Sequence, residues 1–202
     1  VQRLSGIIND LLDLSKIEAG KMDFHFAPTD INTVINYVKS ALSEVAKSKG
    51  LNLVTNESDN LPEILADSQR LEQVLTNLVS NAIKFTPAGK SITISSRVVN
   101  ATDINVNENF KDVIKNLTGD YIEVCVEDEG IGIESKNLLH AFDKFAQIEN
   151  SLSRKAGGTG LGLPIAKQLL DAHKGAIWCD SKLNKGSKFY FIIPANKVTS
   201  LV

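Results

Sequence analysis

From Asp67 to Phe85 the sequence writes a helix whose two sides demand different surroundings. At about 100° per residue, Leu71, Leu75, Leu78, Val79 and Ala82 fill one arc, and Arg70, Gln73, Asn77, Asn81 and Lys84 fill the opposite one. The apolar arc needs a second layer to cover it. Asp67 or Ser68 caps the helix, and Thr86-Pro87 ends it. The polar arc admits two readings, solvated surface or site. Asparagines are mediocre helix formers, and two of them four residues apart beside a lysine make a set of neutral oxygens plus one cation. Such a set suits a hydrated Mg²⁺ and the phosphate attached to it, since Mg²⁺ keeps several waters and shares its ligands with phosphate oxygens.

The covering layer is written on both sides of this helix. Leu51–Thr55 and Ile64–Ala66 precede it as strands; Ser91–Val99, Tyr121–Asp128, Ala176–Ser181 and Lys188–Ile193 follow, the last two joined by a turn containing Gly186. Further helices run over Val1–Glu18, from a cap at Thr29 or Asp30 to Lys49, over Ser135–Phe145, and from Pro164 to His173. The second helix is expected to bury Ile31, Val34, Ile35, Val38, Leu42 and Val45, and the short one Leu138, Leu139, Phe142 and Phe145. This order predicts an α/β (α+β) two-layer sandwich, with helices on one face of a mixed, mostly antiparallel sheet. The apolar stripe of Val1–Glu18 is too wide for a lone helix, which must pack on the following domain or join a bundle. Lys21–Pro28 alternates through Met22, Phe24 and Phe26 as a strand or extended connector. Asn100–Asp120 is a long polar connection with room for one amphipathic helix built on Phe110, Val113, Ile114 and Leu117.

Two other stretches carry chemistry. In Ala156–Leu163 four glycines in six positions let the backbone pass close to a ligand, and the helix that follows adds its amides, as in a phosphate site. The stretch lacks the Lys-Ser/Thr of a Walker A loop and the third small residue of the dinucleotide fingerprint. In Tyr121–Asp128 the alternation puts Asp128 on the face of Ile122, Val124 and Val126, where a carboxylate is costly unless donors surround it. Asp128 either caps the Glu129-Gly130 turn or accepts from an amino group of a ligand that Gly130 and Gly132 allow close. Between these stretches, Ala146–Ala156 is almost free of apolar residues and carries Arg154 and Lys155, the pattern of a mobile lid or of a plain surface loop.

Composition narrows the class. The 202 residues, 43% hydrophobic, can bury one core and carry a small extension. A net charge of −2 argues against a nucleic-acid partner. No apolar run approaches the roughly 20 residues needed to span a bilayer. Cys125 and Cys179 show no metal-ligand spacing and read as buried free thiols, which fits a cytoplasmic protein.

Taken together, these stretches resemble the catalytic, ATP-binding domain of two-component sensor histidine kinases, whose fold is shared with gyrase-type and mismatch-repair ATPases. Asn77-Leu78-Val79-Ser80-Asn81-Ala82-Ile83-Lys84-Phe85-Thr86 looks like the N box, and Asp128-Glu129-Gly130-Ile131-Gly132-Ile133 like the first glycine box. Phe142-Asp143-Lys144-Phe145 looks like the F box, and Gly157 to Leu163 like the second glycine box. Residues 11–21 are similar to the end of the second dimerisation helix, which implies a division into a helical segment, 1–20, and an ATP-binding domain, 21–197. By position, the resemblance implies that Asp128 accepts from the adenine amino group, with Gly130 and Gly132 shaping that wall. Asn81 would ligate Mg²⁺ with Asn77 beside it, Lys84 would reach the phosphates, and Phe85 would lie near the adenine. Gly158, Thr159, Gly160, Leu161 and Gly162 would cradle the phosphates beneath the lid, and Phe145 of the F box would join the nucleotide-binding residues. The implied chemistry is transfer of the ATP γ-phosphoryl group to a histidine, with Asn77 and Lys84 as catalytic candidates and a response regulator or receiver domain, and a homodimer through the dimerisation helices, as partners.

The family's acceptor histidine lies in a helix before the first one here. His25, His140 and His173 lack its acidic, helical context, so these 202 residues are expected to bind ATP without phosphorylating themselves. An ATP hydrolase or ATP-driven clamp of the same fold is the rival. Its relatives activate water with a glutamate four residues before the metal-binding asparagine, where this chain has Asn77, and an amide is no general base. A nucleotide-binding scaffold without catalysis is the third reading.

Overall fold

A computed structural model describes residues 2–146 and 159–195. Helix α1 spans Gln2–Glu18. It is followed by β1 (Ala27–Thr29), α2 (Ile31–Ser48), β2 (Asn52–Glu57), β3 (Ile64–Ala66) and α3 (Ser68–Phe85). Then come β4 (Ser91–Asn100), a connection holding α4 (Lys111–Ile114), β5 (Asp120–Asp128), α5 (Gly162–Ala172), β6 (Ala176–Lys182) and β7 (Gly186–Pro194). The main sheet runs β2-β4-β5-β7-β6, with β2 and β4 parallel and every other pair antiparallel. β1 and β3 form a separate antiparallel pair. The expected two-layer sandwich is the one found.

Local sequence explains the helices on the inner face. Asp30 caps α2 by accepting from the Asn32 amide at 3.0 Å, and Asp67 caps α3 by accepting from the Arg70 amide at 3.2 Å. Leu71, Val74, Leu75, Leu78, Val79 and Ala82 of α3 are buried over the sheet, as the apolar arc requires. On α2 the buried face includes Ala46, whereas Val45 is 52% exposed. The stripe drifts around the cylinder over five turns, so the last apolar residue rotates off the sheet. Residues 135–142 form two 3₁₀ turns, Ser135–Asn137 and Leu139–Phe142, in place of one helix; Leu138 is buried, while Leu139 and Phe145 face solvent.

The other departure is on the outer face. Tyr121, Glu123 and Cys125 are buried as well as Ile122, Val124 and Val126, so β5 is covered on both sides for most of its length. Ile104 and Phe110 of the 101–119 connection belong to the same core, with Ile114 and Leu117 packed against it. Burial pushes the thiols of Cys125 and Cys179 up to about 12, the expected unreactive cysteines. Among the described residues no helix is long and apolar enough to cross a membrane.

His173, behind α5, ties three elements together. Its Nδ1 donates to the Leu169 carbonyl at 2.7 Å, and its Nε2 accepts from the Asp67 amide at 3.0 Å. Phe24 and Phe26 of the α1–α2 connector pack on the ring at 5.8 and 5.0 Å, and the His25 amide donates to Asp67 Oδ2 at 2.8 Å. Nε2 must keep its lone pair, so the folded ring is neutral, and burial lowers its tendency to protonate. The unfolded chain gains this proton at about pH 6.5, so the ring's contribution to stability is complete above that pH and declines below it. We expect the stability difference between wild type and His173→Gln, which retains an acceptor that does not titrate, to shrink by about 1 kcal/mol between pH 7.5 and 5.5. Thermal melts of both proteins across that range check it.

Candidate functional site

The ends of α3, β5 and α5 meet around a cavity of about 350 Å³. One wall is the polar arc of α3, with Asn77, Asn81, Lys84 and Phe85. A second is formed by Asp128, Ile131, Gly132 and Ile133, backed by Ser187 and Phe189 of β7. Thr159, Gly160, Gly162 and Pro164 make the third. Of the polar arc, Asn77, Asn81 and Lys84 share this concavity, while Arg70 and Gln73 do not line it and hydrogen-bond to each other at 3.2 Å.

Asp128 is 6% exposed at the end of β5. Its Oδ1 accepts from the Gly130 amide at 2.8 Å, and the backbone of Ser187 supplies a second hydrogen bond. Burial outweighs these donors and pushes the carboxyl up to about 6. It is thus a turn cap and a cavity wall at once. Gly130 does not itself line the cavity. A side chain there would meet the Phe85 carbonyl at 2.8 Å, so glycine is needed for the turn to pass beneath the end of α3, where the Ile131 amide donates to that carbonyl at 3.3 Å. Gly132 has φ +68°, and its Cβ would run into the Lys182 backbone.

The α3 wall is divided in role. Asn77 Nδ2 donates to the Gly162 carbonyl at 3.1 Å, clasping α3 to the start of α5. Asn81, one turn on, lines the same wall. The Lys84 ammonium lies 4.6 Å above the centre of the Phe85 ring. Lys49 caps the far end of α3, reaching the carbonyls of Ile83 and, at 2.7 Å, Lys84.

On the third wall, Thr159 Oγ1 accepts from the Leu161 amide at 3.1 Å. Gly160, at φ +69°, accepts from the Phe145 amide at 3.0 Å, and Phe145 itself has φ +61°. Phe145 is 61% exposed and Leu161 1% exposed, so neither lines the cavity: one meets the glycine stretch through its backbone, the other packs beneath it. Gly158, and the lid reading of Ala146–Ala156 beyond Ala146, lie outside the described residues.

Ser187 and Asp10 are among the lining residues to which the sequence assigns no role. Ser187 stands opposite Asp128 in the β5–β7 register, a neighbour that only strand pairing reveals, since it reads as part of a turn. Asp10 reaches the cavity from α1 and accepts from Thr159 Oγ1 at 3.4 Å; burial is the main cause of its raised pKa, against that hydrogen bond. α1 is held there by Leu14 in the core, by Gln73 Nε2 donating to Asp13 at 2.9 Å, and by the Glu18–Lys144 ion pair. Nothing in the spacing of Asp10 announces this position.

A cavity lined by a buried carboxylate, glycines, a lysine and two asparagines suits a ligand with an amino-bearing ring and a phosphate chain. The sensor histidine kinase GacS of Pseudomonas protegens is 39% identical over 93% of this chain, and the signal transduction histidine-protein kinase BarA of Escherichia coli 38% over 94%. In both cases the match covers 19% of the relative, so the chain spans about a fifth of their length. Among solved structures, full-length ShkA in complex with AMPPNP superposes with a TM-score of 0.75 at 28% identity, over 95% of this chain and 35% of that one. The catalytic domain of the histidine kinase ThkA gives 0.65 at 26% identity, over 85% of this chain and 99% of its own. Residues 66–197, the stretch that contains all but one of the cavity's lining residues, match the family model, and the chain belongs to the histidine kinase-, DNA gyrase B- and HSP90-like ATPase family.

Proposed function

We propose that residues 21–197 form the catalytic domain of a two-component sensor kinase, which binds Mg²⁺–ATP and passes its γ-phosphoryl group to a histidine imidazole. The observation that carries this is the pairing, in one cavity, of the buried Asp128 carboxylate with the Asn77–Asn81–Lys84 wall. Asp128 accepts from the adenine 6-amino group, and Ser187 and Phe189 lie on that side of the cavity. Phe85 flanks the ring. Gly160 and Gly162 bring the phosphates close to the backbone, and Lys84 offsets their charge.

The metal fits the donor set. Among the described residues no group of three or more His, Cys, Asp and Glu is placed to hold an ion, and the wall offers amide oxygens instead. That matches Mg²⁺, which keeps its waters and is shared with phosphate oxygens. Asn81 would hold it, Asn77 being engaged with Gly162. When bound, the ion neutralises charge on the phosphates as the leaving group departs. The chain's own residues supply positioning: they fix the triphosphate so that the γ-phosphorus faces an incoming imidazole nitrogen.

Residues 1–20 are read as the end of a dimerisation helix. Ile8, Leu11 and Leu12 are exposed on α1, as a helix that pairs with others in a homodimer would have them. The phosphohistidine would then serve a response regulator or receiver domain in the cytoplasm. The test is transfer from γ-labelled ATP to a histidine-bearing dimerisation helix supplied with this chain. Acid-labile, base-stable label on protein is expected, lost in Lys84→Ala. Steady release of inorganic phosphate with no acceptor present would favour the hydrolase instead.

A further inference from the structure

The connection from 101 to 119 is absorbed by nothing so far. It leaves β4 at Asn100 and enters β5 at Asp120, which face each other across the ladder. Ile92 faces Asp128 eight residues away, about 25 Å along the sheet from where the connection starts. A connection between neighbouring antiparallel strands has no need to leave that end.

This one returns toward the cavity instead. Asn107 Nδ2 donates to the Cys179 carbonyl at 2.9 Å on the edge strand β6, while its Oδ1 accepts from the Asn109 amide at 3.1 Å and starts the next turn. Phe110 is thereby carried to a position where it is 3% exposed. Its ring meets Phe142 edge-on, with centroids 5.9 Å apart at 89°, and Phe142 meets Phe189 at 6.4 Å and 74°. Phe189 lines the cavity, as does Ala141 beside Phe142.

The segment that Phe110 touches needs outside support. Residues 135–142 are two 3₁₀ turns without a side-chain cap, and Leu139 is exposed, so Leu138, Ala141 and Phe142 are its attachments to the core. Short turns of this kind are among the first parts of a fold to open. We infer that the 101–119 connection braces the adenine half of the pocket, with Phe110 as a positioning residue acting through Phe142 and Phe189. The brace rests on the reading of the Asp128 side as the adenine side. Because coupling is reciprocal, bound nucleotide must also steady the connection, although no residue of 101–119 lines the cavity.

Calorimetric titration of Mg²⁺–ATP into the whole chain, well below its melting temperature, tests this with Phe110→Ala, Phe110→Leu and Ile35→Ala, the last a fully buried α2 residue away from the cavity. We expect Phe110→Ala to weaken binding about 5- to 20-fold and Phe110→Leu to restore most of it. Ile35→Ala should stay within about twofold of wild type even though it lowers the melting temperature. In wild type, Mg²⁺–ATP should slow amide exchange across residues 107–114, a readout that also serves if Phe110→Ala does not fold. Wild type that binds ATP without such slowing, together with a Phe110 variant that binds as wild type does, overturns the brace. Wild type that does not bind ATP at all overturns the adenine reading beneath it.

Discussion

Replacing Asp128 with asparagine is expected to weaken ATP binding about 10- to 100-fold while raising the melting temperature of the ligand-free protein. The two effects have one cause. The carboxylate sits 6% exposed, and burial pushes its pKa up to about 6, from an ordinary value near 4. Between those values the folded state holds the proton more tightly than the unfolded state, so stability falls as pH rises through this window, and above pH 6 the full cost remains, on the order of 2 kcal/mol. An amide has no such cost. Its Oδ1 can still accept from the Gly130 amide, so the turn survives. What is lost is the charge-assisted acceptor for the adenine amino group, and an amide NH₂ is offered there instead; hydrogen bonds to charged groups contribute about 1.5–3 kcal/mol. For the same reason ATP affinity is expected to fall as pH drops through about 6, where the carboxylate gains its proton. Titration calorimetry and thermal melts on the two proteins check both halves; a variant that loses affinity and stability together would point to a misfolded site.

Replacing Asn81 with alanine is expected to lower phosphotransfer by about 10²- to 10³-fold, with a smaller loss of nucleotide affinity. The asymmetry follows from where Asn81 sits. It lines the α3 wall one turn beyond Asn77, whose side chain is tied to the glycine stretch at Gly162. In its proposed role as metal ligand, its loss would leave the proposed adenine contacts intact and cost charge neutralisation at the departing phosphate. Asn77→Ala should differ in kind, because it unties α3 from the Gly162 carbonyl and so moves the whole third wall. The check is the Mg²⁺ dependence of the transfer rate. Asn81→Ala should need more Mg²⁺ to reach its lower plateau, and an unchanged requirement would remove Asn81 from the metal site.

The parts of this architecture that follow from local chemistry were legible in the chain. Asp30 and Asp67 cap their helices, the apolar arc of α3 lies over the sheet, and Asp128 stands on the apolar face of β5, all as periodicity dictates. The misreadings share a different origin. Alternation in β5 predicts one covered face, but Tyr121, Glu123 and Cys125 are buried too, with Arg97 of β4 paired to Glu123 and Tyr190 of β7 opposite Cys125. Period counting cannot see such cover. Leu139 and Phe145 have core spacing only if residues 135–145 are one helix; two 3₁₀ turns rotate them into solvent. Ser187 and Asp10 join the site through strand pairing and through docking of α1, contacts more than 50 residues apart in sequence with no local signal.

In the proposed function one cavity is divided between adenine at Asp128 and the metal and phosphates at Asn81. A crystal structure of this chain with Mg²⁺ and a non-hydrolysable ATP analogue measures it directly. The adenine 6-amino nitrogen is expected within hydrogen-bond distance of the Asp128 carboxylate, and Mg²⁺ on the Asn81 side-chain oxygen. Adenine bound elsewhere, or a metal held without Asn81, would contradict it.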